Sequence, residues 1–205
     1  MSEKVRISII YYSSTGANYE LAKTAEIFAK SAETEVRLRK VAELAPPEAI
    51  AQNPAWKAHV DATKDVPVAT LDDLDWADAY IFSVPTRFGN VPSQMKQFLD
   101  MAGPLWAQGK LANKVVTAMS TASNPNGGQE ATILSLYTTM YHFGAIVVAP
   151  GYTDQAFFAA GGNPYGTSFT ATGQNAVDEA TKTAVEKQTE RVITVTKWLK
   201  AGQNQ

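Results

Sequence analysis

An uncharged, hydroxyl-rich turn follows the first apolar run of the chain. The run covers residues 5–12 and is β-branched and aromatic, which is typical of a buried strand, and apolar residues at helical spacing follow the turn. Hydroxyls and one glycine at a helix start leave backbone N–H groups at the positive end of the helix dipole, which favours an anion such as phosphate. An ordinary capped turn is the alternative. The candidate anion-binding residues are Ser13, Ser14, Thr15, Gly16, Ala17 and Asn18.

A second polar loop, with the sequence PTRFGN, follows the apolar segment 79–84. Phe88 offers an apolar face to a flat ring, and Gly89 lets the backbone come close to that ring. Polar side chains beside them could bond the ring's polar edge, whereas a simple turn with Asn90 as helix cap is the alternative. The candidates in this loop are Pro85, Thr86, Arg87, Phe88, Gly89 and Asn90.

Strand and helix patterns alternate along the chain. This alternation predicts a parallel sheet in the doubly wound arrangement, with helices on both faces and strand order 2-1-3-4-5. The carboxyl ends of parallel strands lie at one edge, so the loops after strands one, three and four should converge there. The predicted strands cover residues 5–12, 35–41, 79–84, 114–120 and 145–150, and the predicted helices cover 18–32, 91–102, 128–143 and 176–200.

Composition favours one domain that covers residues 1–205 and contains two long connections. The connection at 42–70 should carry small elements of its own, and the one at 151–175, rich in glycine and polar residues, is predicted to be irregular. Both contain aromatic or apolar residues, which suggest burial against a partner subunit.

Several functional classes are excluded by the same composition. The chain has 205 residues, 45% of them hydrophobic, a net charge of −2 and no cysteine. Thiol chemistry and iron–sulfur clusters are therefore excluded, and the two histidines argue against a histidine-rich metal site. Without a basic stripe or a membrane-length apolar run, the sequence predicts no nucleic-acid or membrane partner, and a cytoplasmic location is the default.

The first loop also narrows the choice of cofactor. It lacks the G-x-G-x-x-G pattern of dinucleotide sites and the G-K-[ST] pattern of P-loops. A hydroxyl-lined mononucleotide site on a five-stranded parallel sheet points instead to flavin mononucleotide (FMN).

Five motifs in fixed order carry a resemblance to a known family. They are YYSSTG, PTRFGN, LWAQGKLANK, GGQE and GGNPYG. Together they resemble the WrbA family of flavodoxin-like NAD(P)H:quinone oxidoreductases, over about residues 5–200. The resemblance implies a flavodoxin-like fold, bound FMN, NADH or NADPH as co-substrate, two-electron reduction of a small-molecule quinone, and a homotetramer.

The resemblance also implies roles for single residues. The first loop would hold the FMN phosphate, and Thr86, Arg87 and Phe88 would hold the ring. His142 would lie next to the flavin and could donate to a quinone oxygen, and Trp106 would line the quinone pocket. The third FMN loop would comprise Ser120, Thr121, Ala122, Ser123 and the following residues to Gly127.

Three departures from the family pattern concern the cofactor contacts. In the first loop, Ala17 and Asn18 replace a bulkier pair. Thr15 stands where the family usually has an aromatic residue that touches the nicotinamide, so stacking there is lost. The third loop reads TASNPNGGQE, with an extra residue and Pro125, which could reshape its rim.

Other interpretations remain open at this point. Trp106 could pack in the core, and His142 could interact with a helix dipole. His59 is predicted to be a surface residue. The whole protein could instead be a flavodoxin-like electron carrier or a non-enzymatic regulatory interaction module, although the small net charge gives little of the acidic steering that carriers use.

Overall fold

The structure, a computed structural model, describes residues 4–172 and 176–203. Its elements alternate largely as the sequence predicts. In chain order they are β1 Arg6–Tyr11, α1 Ala17–Ser31, β2 Glu35–Lys40, α2 Pro47–Ala51, α3 Pro54–Ala62, α4 Leu71–Trp76, β3 Ala79–Pro85, α5 Ser93–Asp100, α6 Gly103–Ala107, β4 Val115–Ala122, α7 Gln129–Phe143, β5 Ile146–Val147, α8 Gln155–Ala159, β6 Ser168–Thr170 and α9 Glu179–Gln203.

All strand pairs in the sheet are parallel, and the order β2-β1-β3-β4-β5 is the predicted one. The register is set by β3, which pairs Ala79 with Ile7 on one side and with Val115 on the other. The carboxyl ends of β1, β3 and β4 therefore lie at one edge of the sheet. The flavodoxin-like, doubly wound prediction is confirmed.

A sixth short strand, β6, also pairs with β4. Strand β5 pairs with the start of β4, at Val115 and Val116, whereas β6 pairs with its end, from Ser120 to Ala122. The edge strand is thus split, and residues 148–167 interrupt it. The prediction that residues 151–175 are irregular is wrong for α8 and β6, which are too short and too close to glycines for periodicity to reveal them. Residues 173–175 of that connection lie outside the described part.

Each face of the sheet buries its own core because successive strand side chains point to opposite faces. In β1, Ile7 and Ile9 pack with α1 and α9, whereas Ile10 packs with α5 and α7. Two-sided burial explains why β3 and β4 are apolar or hydroxyl-bearing without alternation, as expected of central parallel strands.

The connection at residues 42–70, called the first insertion below, forms α2 and α3. This confirms the prediction that it carries small elements of its own. It returns to the sheet at Val68, which bridges to Lys40 at the end of β2. Ala69 then donates its N–H to the Lys40 carbonyl, 2.8 Å away. This return holds α3 beside the carboxyl end of β1.

Within residues 4–172 and 176–203, none of the helices combines the length and apolar character that a bilayer crossing requires. In the same ranges, no group of three or more histidine and carboxylate residues is arranged to hold a metal ion.

Candidate functional site

One cavity of about 350 Å³ opens at the carboxyl edge of the sheet. All three predicted loops contribute to it, together with the first insertion and the segment after β6. Its lining residues are Ser13, Ser14, Thr15, Ala17, Asn18, Asn53, Trp56, Pro85, Thr86, Arg87, Thr121, Ala122, Ser123 and Ala171. Eleven of these are residues that the sequence singles out, so the predicted convergence of the loops is observed.

The hydroxyl-rich turn is shaped by Ser13 and Gly16. The N–H of Gly16 donates to Ser13 Oγ over 2.9 Å, and Gly16 has a φ of +108°, which only glycine adopts without strain. Gly16 is the N-cap of α1, and no side chain in the described part of the protein caps this helix end. The first turn of α1 therefore keeps N–H groups and the positive dipole end for a ligand.

Asn18 ties the first turn to the neighbouring strands. Its side-chain NH₂ donates to Thr121 Oγ1 over 2.7 Å, and its Oδ1 accepts a bond from Ser83 Oγ over 3.2 Å. Because Asn18 is buried and so bonded, it fixes the position of α1 relative to β3 and β4.

Arg87 links the second loop to the first. Its guanidinium donates to Ser14 Oγ over 2.9 Å and to the Thr86 carbonyl over 3.1 Å. It is the one charged side chain among the described residues that line the cavity. The positive charge therefore lies on the hydroxyl-rich turn, where an anion would bind.

The PTRFGN loop is a tight turn with a strained residue at its tip. Arg87 and Asn90 exchange backbone hydrogen bonds of 2.9 and 3.1 Å. Between them Phe88 has a φ of +53° and a fully exposed side chain. A positive φ is costly for an aromatic residue, and such strain often occurs at functional sites. An apolar ring held out in this way is suited to contact a ligand or another subunit.

The third loop packs directly on the second. A Cβ on Gly128, which has a φ of +99°, would lie 3.1 Å from the Gly89 Cα, so glycine is required for this approach. Thr86 Oγ1 accepts bonds from the Gly89 N–H and from Thr132 Oγ1, and thereby joins the second loop to α7. Of the predicted residues here, Gly16, Phe88, Gly89, Asn90, Ser120 and Gly127 do not line the cavity itself.

A polar network lies behind the first turn. Tyr12 donates its hydroxyl to Glu43, and Gln94 donates to both of them, over 2.8–3.0 Å. Burial raises the pKa of Tyr12 to about 12, although a hydrogen bond with Ser14 and the positive charge of Arg87 both act to lower that pKa. Burial alone would raise the pKa of Glu43, but donated hydrogen bonds outweigh it and lower that pKa. The carboxylate stays charged and holds the start of the 42–70 connection in place.

The first insertion contributes residues that the sequence did not assign to the site. Asn53 and Trp56 line the cavity, and His59 Nδ1 lies 3.7 Å from where a Cβ on Gly16 would be. His59 is half-buried, not a surface residue, and burial together with Lys40 lowers its pKa. An Asn-Pro pair is a helix-start signal and could have revealed α3, but no local signal places that helix against the first turn.

Trp106 and His142 lie away from the cavity within one chain. The indole N–H of Trp106 donates to the His142 carbonyl over 2.9 Å. Asn113, just before β4, donates its N–H to the Gly144 carbonyl, which places both residues at the amino edge of the sheet. The 15 residues of α7 separate that edge from the third loop by about 20 Å. Trp106 is 56% exposed.

Comparisons with known proteins agree with these observations. The model of the NADPH-dependent FMN reductase family matches residues 5–157. The NAD(P)H dehydrogenase (quinone) of Deinococcus radiodurans is 49% identical to this chain, over 96% of this chain and 98% of that protein. The Acidovorax ebreus protein of the same name is 39% identical, over 82% and 84% of the two chains.

Two solved structures show the same fold at low identity. One is the flavodoxin, WrbA-like protein from Agrobacterium tumefaciens, with a TM-score of 0.66, 19% identity, and coverage of 95% of this chain and 99% of that one. The other is a flavodoxin from the Archaea, with a TM-score of 0.61, 15% identity, and coverage of 94% and 99%. With the family model and the 49% identical relative, they agree with the resemblance found in the motifs. The chain belongs to the NADPH-dependent FMN reductase family.

Proposed function

We propose that this protein is an FMN-dependent NAD(P)H:quinone oxidoreductase. The observation that carries the proposal is the cavity at the carboxyl edge, where the uncapped N-terminus of α1, a hydroxyl-rich turn and one guanidinium meet. A phosphate monoester matches this donor set, because it is an anion with several acceptor oxygens. The relatives named NAD(P)H dehydrogenase (quinone) supply the reaction class.

The residues present fit FMN. Ser13, Ser14 and Thr15 offer hydroxyls to the phosphate, and Arg87 offers charge. The second and third loops, which pack together where Gly128 approaches Gly89, would hold the flat ring. The roles predicted for the cavity residues and for Phe88 are retained on this basis.

When bound, FMN would supply the two-electron chemistry that connects a nicotinamide with a quinone. The chain would bind and orient each planar substrate in turn, with Phe88 beside the shared open face. Sharing one face implies ping-pong kinetics, in which oxidised nicotinamide leaves before the quinone enters. His142 could then donate a proton to a quinone oxygen, where negative charge develops.

A homotetramer completes this proposal. Trp106 and His142 are about 20 Å from the third loop along α7, so they could serve a flavin site only in a neighbouring subunit. Exposure of Trp106, Tyr141 and Phe88 in the single chain supports their burial on assembly. Light scattering at micromolar concentration tests this arrangement. A stable monomer with full quinone reductase activity would refute it. A cytoplasmic location, where NAD(P)H is abundant, is part of the same proposal.

One assay separates the proposed enzyme from the two other classes. The purified protein should be yellow with FMN and should oxidise NADH or NADPH when benzoquinone is added. An electron carrier would hold FMN but react slowly with the nicotinamide. A regulatory module would require neither, and a colourless protein without flavin affinity would contradict the proposal.

A further inference from the structure

The imidazole of His59, on helix α3, lies directly beside the hydroxyl-rich turn. Its Nδ1 is 3.7 Å from the position that a Cβ on Gly16 would take, and its ring centre is 5.7 Å from that of Tyr19 in the first turn of α1. A small cavity of about 80 Å³ is lined by both His59 and Ser13, and Ser13 also lines the main cavity. His59 is therefore a neighbour of both residues that shape the turn.

Both imidazole nitrogens of His59 are able to respond to a change of charge nearby. No described residue forms a hydrogen bond with either nitrogen, and neither nitrogen belongs to the fully buried polar atoms that lack a partner. Each therefore keeps some accessible surface. A neutral imidazole has one N–H donor and one acceptor nitrogen, and that acceptor can take up a proton.

The groups that face His59 favour its neutral form. The titratable side chains that share the small cavity with it, or contact it from α1, are Tyr11, Tyr12, Lys40, Glu43 and Tyr19. Burial and the ammonium group of Lys40, at the end of β2, lower the pKa of His59. Burial raises the pKa of Tyr11 and of Tyr12, so both remain uncharged phenols.

The one anion that lines the small cavity, within the described residues, is already occupied by other donors. The carboxylate of Glu43 accepts bonds from Tyr12, Gln94 and the backbone N–H groups of Leu44 and Ala45, over 2.8–3.0 Å. The pKa of His59 is lowered in spite of this carboxylate. His59 thus has no anionic partner of its own in the described part of the chain.

A phosphate held by the turn would supply such an anion. Charges separated by less than the Debye length of about 8 Å are weakly screened, so a dianion beside a half-buried imidazole favours its protonated form. We propose that His59 takes up a proton when FMN binds, and that the resulting imidazolium balances the charge of the flavin phosphate together with Arg87. This inference rests on the proposed function, since it takes FMN as the resident ligand.

The direction of the resulting pH dependence follows from linkage. Bound FMN would raise the pKa of His59 above its lowered value in the apoprotein, so that binding takes up protons at pH values between the two. Affinity for FMN should therefore gain from His59 as pH falls through a window from about 8 to about 5.5. The phosphate of FMN also gains a proton near pH 6, but this effect is the same with and without His59.

The test measures the Kd for FMN across this pH window in the wild type and in His59→Gln, which keeps a polar side chain that cannot take up a proton. Apoprotein freed of FMN is titrated with the flavin, and binding is followed by flavin fluorescence. The ratio of the His59→Gln Kd to the wild-type Kd should increase about three- to tenfold as pH falls through the window. With riboflavin, which has the same ring system but no phosphate, the ratio should not change with pH.

Lys57→Gln is the matched control, because Lys57 lies on the same helix but is exposed and pairs with Asp61 over 2.6 Å. That variant should keep the wild-type pH dependence of FMN binding. A Kd ratio for His59→Gln that stayed constant with pH would overturn the inference, and so would an equal change of the ratio with riboflavin. A wild-type apoprotein that binds neither flavin would refute the proposed function, and this inference with it.

A second measurement requires no substitution at His59 and covers the case of a variant that fails to fold. The two histidines of the chain give two sets of imidazole signals in spectra of isotope-labelled protein, and His142→Gln identifies the set that belongs to His59. The pKa of His59, obtained from the pH dependence of its signals, should rise when FMN is bound and stay unchanged with riboflavin. A pKa that did not respond to FMN, or that rose equally with riboflavin, would overturn the inference.

Discussion

The two ends of the parallel sheet are built on different principles. At the carboxyl end, neutral hydrogen bonds such as those of Asn18 and Thr86 hold three turns in a fixed shape around a cavity. At the amino end, Asp78 pairs with Arg6 and Lys200, and Trp106 stands exposed nearby. One end is arranged to bind a ligand within a single chain. The other provides stability and a surface that we expect a second subunit to cover.

The largest expected effect concerns the backbone at the carboxyl end. Gly16→Val places a β-branched residue at a φ of +108°, and among the described residues beyond its chain neighbours only His59 Nδ1, at 3.7 Å, lies near the new Cβ. Backbone strain, not a clash, should therefore reshape the turn and weaken FMN binding about 10- to 100-fold. Flavin absorbance per chain after purification, together with a folding check by circular dichroism, measures this.

Gly161→Val is the matched control, because Gly161 has a φ of +101° and lies outside the cavity, and a Cβ there would have no described residue within 4 Å beyond its chain neighbours. That variant should lose some stability but keep its FMN. If Gly16→Val purified fully loaded with FMN, the first turn would not be the phosphate site.

The next effect belongs to the amino end. Burial alone would raise the pKa of Asp78, but bonds from Lys200 and Arg6 outweigh it and lower that pKa. A lowered folded-state pKa stabilises the fold above the unfolded value of about 4, and that stability is lost as pH falls through the folded pKa. Asp78→Asn should therefore cost roughly 1–3 kcal/mol at pH 7, and the difference from wild type should shrink below about pH 4. Urea unfolding at several pH values measures it.

Asp100→Asn breaks an exposed pair with Lys96 and serves as the control, with an expected loss below about 1 kcal/mol. If the loss of unfolding free energy in Asp78→Asn were the same at pH 7 and pH 3, the charged Asp78 carboxylate would not be the source of the stabilisation.

The smallest effect tests whether the two ends meet in the assembly. Trp106→Ala should raise the quinone KM several-fold, since one stacking face is worth on the order of 1 kcal/mol, and should leave FMN content nearly unchanged. Because Trp106 is 56% exposed, the melting temperature should fall by only a few degrees. Trp106→Phe keeps an aromatic face but loses the bond to the His142 carbonyl. Its quinone KM should stay close to the wild-type value. A large drop in melting temperature with an unchanged KM would place Trp106 in the core.

At the carboxyl end, the sequence predicts the turns that follow the strands better than the residues that the 42–70 connection brings to them. Hydroxyl-rich and glycine-containing turns after apolar runs are local signals, and parallel strands bring such turns together, so Ser13, Thr86 and Thr121 are found on one cavity. Trp56 and His59 could not be assigned because their approach to the site depends on how the insertion returns at Val68, a tertiary event. The strained φ of Phe88 has no sequence signal either, since most aromatic residues avoid it.

The split edge strand has a consequence for how the chain behaves among copies of itself. An exposed sheet edge is a template for an added strand, and short or charged edges resist such pairing. Here β5 and β6 have only two and three residues, while the opposite edge, β2, carries Arg37 and Arg39. Neither border of the sheet offers a long, flat, apolar strand. The interruption at 148–167 thus shortens one border of a highly apolar parallel sheet, which disfavours the edge-to-edge pairing from which amyloid-like growth starts.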